Sequence, residues 1–228
     1  MKTRLIVALD YPELEDALSL AESLDSVKWF KVGKQLFTRY GPRAVKALKE
    51  RGRNVFLDLK FHDIPNTVAH AVRSSAAVGA DMTNVHASGG PAMLAAAAAA
   101  GRESNVLVIA VTVLTSLDRR ELAAVGIDVP PQQHVVRLAN LAKEYGIAGV
   151  VCSAHEIHAI RQACGSDFQL IVPGIRPAGA AKGDQKRIMT PAEAAAAGAQ
   201  FIVVGRPITQ APDPEAAAAG ILADIETA

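Results

Sequence analysis

The sequence predicts an α/β protein folded as a single (β/α)8 barrel, the TIM-barrel architecture. Two patterns carry this expectation. Eight short apolar runs rich in β-branched residues alternate with longer alanine-rich stretches of helical character over 228 residues, and continuously apolar strands separated by helices belong in a parallel sheet covered on both faces. That number of β/α units in about 250 residues or fewer is the count of a closed barrel, with an open doubly wound sheet as the runner-up. No long Gly/Ser/Pro linker breaks the alternation, so one domain over residues 1–228 is expected.

In chain order, "LIVAL" (5–9) is the first strand, stopped by Asp10 and followed by the helical "PELEDALSLAESL". "KWFKV" (28–32) is the second, followed by "GPRAVKALKERG", with Pro near its start and Gly at its end, as helices prefer. "NVFLDL" (54–59) precedes "TVAHAVRSSAAVGA", and "MTNVH" (82–86) precedes "PAMLAAAAAAG". The alanine runs at 95–100 and 194–197 resemble low complexity, but alanine is the best helix former and helix is the better reading. "VLVIAV" (106–111) leads to "QQHVVRLANLAKEYG", and "AGVVC" (148–152), "QLIV" (169–172) and "FIVV" (201–204) complete the strands, with "PEAAAAGILADIE" as the last helix.

Composition excludes several classes of function. Lys and Arg number 24 against 23 Asp and Glu, so no global field recruits nucleic acid or an anionic membrane, and any anion must be bound locally. Aromatic residues make up only 4%, which suggests a core of small aliphatic side chains. The run after the basic residues of "MKTRLIVALDYPE" stops at Asp10, too short for a secretory h-region, and no segment approaches the roughly 18 apolar residues of a membrane span. Two cysteines, Cys152 and Cys164, cannot form a disulfide framework and suit a reducing cytoplasm.

The unusual stretch is "FLDLKFHDIPNT" (56–67), a strand carrying charges. Alternation puts Phe56, Asp58 and Lys60 on one face and Val55, Leu57 and Leu59 on the other. The second face meets the helices, so the charges point inward at the strand's C-terminal end, where barrel enzymes place their chemistry. Asp10 and Lys31 end the first two strands with the same parity. Alternating signs let each ion be paired, offsetting part of a desolvation cost of several kcal/mol per ion. A structural ion-pair plug is the bland alternative, and four strand-terminal charges of matching parity weigh against it.

A second signal is "VVGRPI" (203–208), with Gly205 and Arg206 directly after the eighth strand. Barrels often bind phosphate there with backbone N–H groups; a surface arginine in a turn is the alternative. The long Gly/Ala-rich stretch "PGIRPAGAAKGDQKRIMTP" (173–191) reads as a lid or a disordered segment; a lid over about 174–190 would carry Arg176 and Gln185 and could close over an anionic ligand. "CSAHEIH" sets Cys152, His155 and His158 at spacings that drift around a helix with no fourth ligand, a poor zinc site. His86 ends the fourth strand, either lining the mouth or hydrogen-bonded without a catalytic role.

On these residues the chain resembles the orotidine 5'-monophosphate decarboxylase family in its bacterial form. "VALD", "FKVG", "FLDLKFHDIPNTV", "NVHASGG", "TVLTS", "GVVCS", "PGIRP" with "GDQKR", and "VVGRPIT" follow the family's order along nearly the whole chain. D-x-K-x-x-D alone is shared with sister sugar-phosphate enzymes; "DIPNT" with the downstream "PGIR" and "GR" is more specific. The resemblance implies that Lys60 is the general acid, Asp58 sits beside the substrate carboxylate and Lys31 completes the charged chain. It implies that Asp10 holds ribose hydroxyls, Thr67 supports the ribose and Thr115 meets the pyrimidine edge. Arg206 and the Gly205 backbone would bind phosphate, helped by Arg176, with Gln185 bridging from the lid. It further implies a homodimer in which Asp63 and Thr67 are shared across the interface, a place in de novo pyrimidine biosynthesis in the cytoplasm, and no metal or other cofactor.

Two rivals remain open. A magnesium-dependent sugar-phosphate decarboxylase or aldolase of the same superfamily would need an acidic ligand near the end of the second or fourth strand, where "KVGKQ" and "VHASG" offer none. A catalytically silent barrel that binds a phosphorylated metabolite would share the phosphate signals. A nucleic-acid binder finds no basic stripe.

Overall fold

The computed structural model describes residues 2–177 and 189–228. In chain order it contains β1 (Arg4–Leu9), α1 (Leu14–Ser23), β2 (Trp29–Gly33), α2 (Lys34–Tyr40), α3 (Pro42–Glu50), β3 (Asn54–Phe61), α4 (Pro65–Ala77), β4 (Met82–His86), α5 (Gly90–Ser104) and β5 (Leu107–Val111). There follow α6 (Arg119–Ala124), α7 (Pro131–Glu144), β6 (Gly149–Val151), α8 (Ile157–Cys164), β7 (Gln169–Pro173), α9 (Pro191–Ala196), β8 (Phe201–Val204), α10 (Arg206–Thr209) and α11 (Pro214–Glu226). The strands pair in sequence order and β8 returns to β1 in parallel, with Val7 opposite Val204, so the sheet closes into an eight-stranded barrel.

The alternation expected from the sequence divides the apolar residues into two cores. Leu5, Val7, Leu9, Val55 and Leu57 face the helices. Ile6, Ala8, Phe56, Met82, Ile109, Ile171, Phe201 and Val203 fill the barrel interior, with Trp29 packed against them. The N-terminal end is stoppered by Trp29 set edge-on to Phe201, with the Arg4 guanidinium 4.0 Å over the Phe201 ring. The charged residues Asp10, Lys31, Asp58 and Lys60 lie toward the opposite, C-terminal end.

The helical stretches named from the sequence did not include the short helices α2, α6, α8 and α10. The seven residues of α2 bury only Leu36, and Gly41, at φ +53°, turns the chain so that Pro42 can open α3. The alanine run at 95–100 is helical within α5, where Ala97, Ala98 and Ala100 are buried. Asp118 caps α6 by accepting from the Arg120 and Glu121 backbone N–H groups, and Asp213 caps α11 by accepting from Ala216 N–H. Among the described residues no helix is long and apolar enough to cross a membrane.

Candidate active site

Four of the expected charges form a continuous chain at the C-terminal rim. The Lys31 ammonium lies 2.9 Å from Asp10 Oδ1 and 3.6 Å from Asp58 Oδ2. The Lys60 ammonium donates to Asp58 Oδ1. The order Asp10, Lys31, Asp58, Lys60 therefore alternates in sign across the ends of β1, β2 and β3. Lys28 precedes β2 and Lys34 opens α2, so Lys31 alone of the three neighbouring lysines lies within β2.

Asp58 is the most tightly held of the four. Burial on its own would push the carboxyl up, but the charges of Lys31 and Lys60, with hydrogen bonds from Lys60 and Asn84, hold it below the usual carboxylate range. It remains an anion in a nearly dry place because two cations and an amide face it.

Lys60 reaches the rim by a different route from the one that strict alternation predicts. Its φ is +57°, left-handed and uncommon for a residue with a side chain. Leu57 to Phe61 spans four steps on β3 where the paired Thr83 to Val85 spans two on β4, so β3 bulges at Asp58–Lys60 and the ladder is interrupted. Asn84, fully buried on the inward face of β4, fills the break. Its Nδ2 donates to Asp58 Oδ1 at 2.7 Å, and its Oδ1 accepts from the Lys60 backbone N–H at 2.8 Å. Sequence reasoning missed Asn84; the signal was a polar residue sharing Met82's inward parity in "MTNVH".

Beside the charged chain lies a cavity of about 200 Å³. Lys31, Asp58 and Lys60 line one side, and Val111, Val151 and Ile171 are among the apolar residues opposite. Thr115, an expected substrate contact, also lines it. Val203 contributes from β8, two residues before Gly205 and three before Arg206, which starts α10 with an exposed side chain. Arg176 is buried just past β7; its guanidinium donates to Ile175 O at 3.0 Å and its backbone N–H to Met189 O at 3.0 Å.

Asp63 and Thr67 are exposed and stand outside the chain of ion pairs; Asp63 Oδ1 accepts from Ile64 N–H at 2.6 Å, and Ile64 itself is 66% exposed. Gln185 and most of the expected lid lie outside the described residues. His86 is half-buried, with its ring 5.5 Å from that of His62. Burial, then the neighbouring His62, Lys60 and Lys34, lower its pKa below the ordinary imidazole value. Cys152 is buried against the cavity, and burial raises its thiol pKa, so it behaves as an apolar wall residue. His155 and His158 are exposed and are not assembled with Cys152, and no group of three His, Cys, Asp or Glu side chains among the described residues could hold a metal ion.

Comparison with known proteins finds relatives along nearly the whole chain. The family model described as orotidine 5'-phosphate decarboxylase / HUMPS family matches residues 3–221. Orotidine 5'-phosphate decarboxylase of Moorella thermoacetica is 55% identical over 234 residues, spanning 99% of this chain and 93% of that protein. The Vibrio cholerae protein of the same name is 54% identical, spanning 93% of this chain and 94% of its own. The crystal structure of orotidine 5'-phosphate decarboxylase from Lactobacillus acidophilus superposes with a TM-score of 0.87 at 37% identity, over 98% of this chain and 99% of that one.

Proposed function

The chain belongs to the orotidine 5'-phosphate decarboxylase / HUMPS family, and from that premise we propose that it decarboxylates orotidine 5'-monophosphate to uridine 5'-monophosphate in de novo pyrimidine biosynthesis, without a cofactor. The observation that carries this reading is the alternating chain Asp10, Lys31, Asp58, Lys60 beside a largely apolar cavity at the open end of the barrel.

The chemistry demands such a chain. When the bond from C6 to the carboxylate breaks, CO2 departs and the electron pair stays on C6, in an orbital that the pyrimidine ring cannot delocalise. Fixed electrostatics must then stabilise it. The Lys60 ammonium faces the forming carbanion, donates one proton from Nζ to C6, and regains a proton from solvent after release. Asp58, held anionic by its neighbours, stands against the substrate carboxylate, so repulsion is relieved as CO2 leaves. Lys31 and Asp10 keep the cluster balanced in charge, and Asp10 also meets the ribose.

The phosphate is assigned to Arg206 and the Gly205 backbone, with Arg176 behind them and Gln185 from the lid, and Thr115 meets the pyrimidine edge. The phosphate contacts lie far from C6, so their binding energy can organise the charged chain rather than merely hold substrate. A homodimer fits the same reading: Asp63 and Thr67 would serve a neighbouring subunit's site, and the exposed Ile64 beside them supports a buried role for that loop in an assembly. The two cysteines are free and buried, in keeping with a cytoplasmic enzyme.

The test follows loss of orotidylate absorbance with purified protein dialysed against EDTA and given no cofactor. Steady turnover is expected. Orotidylate binding without turnover would favour a silent barrel, and activity restricted to a sugar phosphate plus magnesium would favour the sister branch of the family.

A further inference from the structure

We propose that Asn84 is the positioning residue of the site: it aims the Lys60 amine by holding both ends of the strained link between Asp58 and Lys60. The inference rests on the decarboxylase reading above and deepens it.

The geometry is specific. The bulge in β3 withdraws the Lys60 backbone N–H from the β4 ladder, and a buried N–H without a partner is costly. Asn84 Oδ1 accepts it at 2.8 Å. A non-glycine residue at φ +57° is held only where its surroundings over-determine it, and this hydrogen bond is a local restraint on that conformation. The other half of the same amide donates to Asp58 Oδ1 at 2.7 Å, the oxygen that also accepts from Lys60 Nζ. One planar side chain, fully buried and so locked in one rotamer, therefore fixes the Lys60 main chain at one end and the acceptor of its ammonium at the other. Asn84 does not line the cavity, so it acts through Asp58 and Lys60 rather than on substrate.

The consequence is a separation of effects. Losing Asn84 leaves the phosphate and ribose contacts intact but lets the amine wander, and a misplacement of about 1 Å costs roughly 10²-fold in rate. For Asn84→Ala, kcat should fall by roughly that factor while the Kd for uridine 5'-monophosphate, measured by titration calorimetry, stays within about threefold of the parent. Asn84→Asp provides a variant that keeps volume and the acceptor for Lys60 N–H. It cannot donate to Asp58 until its own carboxyl, raised by the facing carboxylate, is protonated. Its kcat profile should shift toward lower pH than the parent's, a change that a purely structural role would not produce.

The proposal is overturned if Asn84→Ala turns over within about threefold of an active parent, if turnover and nucleotide binding fall together, or if the Asn84→Asp pH profile parallels the parent's. An inert parent would instead overturn the decarboxylase reading, and this inference with it.

Discussion

A β-carbon on Gly33 would lie 2.8 Å from the Lys31 ammonium and 3.2 Å from Asp10 Oδ1. The ion pair thus occupies the space that any side chain at this position needs. Gly33 has an extended backbone, φ −92° and ψ −177°, which any residue can adopt. It is the site, rather than the chain path, that requires glycine. Gly33→Ala should fold and melt within a few degrees of the parent, yet lose about 10- to 100-fold in kcat/KM as Lys31 is displaced from Asp10. Steady-state kinetics with a thermal melt would check this, and full activity in the variant would contradict the placement of Lys31.

Arg206 stands at the start of α10, just beyond the last cavity residue of β8. A charge-assisted hydrogen bond to a phosphate is worth about 1.5–3 kcal/mol, so Arg206→Ala should lose roughly 10- to 150-fold in kcat/KM. Substrates lacking the 5'-phosphate should show little difference between variant and parent. An equal loss with orotidine itself would place Arg206 in some other role.

Stability should fall toward acid. The folded pKa of Asp58 lies below its unfolded value, so its contribution is present above the ordinary carboxylate range and is lost as pH falls through the folded value. His86 is also depressed; for a base this means that the neutral form is favoured in the fold, and a penalty grows as pH drops below the usual imidazole value and levels off under the folded one. Melting temperature should therefore decline from about pH 7 downward, with a further loss below about pH 4 that is smaller in Asp58→Asn. A melting temperature that rises on acidification would refute both assignments.

The fold was legible because the strands are short, continuously apolar runs separated by alanine-rich helical stretches, the pattern of a parallel sheet covered on both faces. The charged chain was legible for Asp10, Lys31 and Asp58 because period-two parity fixes which side chains enter the barrel. Lys60 reached the rim for a different reason, because no propensity announces a bulge with a left-handed lysine at its end. Asn84 was invisible as a site residue because its importance lies in two hydrogen bonds to groups 24 and 26 residues away in sequence. Gly33 was hidden similarly: a missing side chain shows its purpose only once Lys31 and Asp10 are seen filling the space.

The most direct measurement compares Lys60→Ala with the parent for orotidylate turnover and, in the same preparation, for binding of uridine 5'-monophosphate. If the ammonium stabilises the C6 carbanion and delivers its proton, turnover should fall by at least about 10³-fold while nucleotide binding persists. Retention of substantial turnover, or a loss of binding as large as the loss of turnover, would contradict that role.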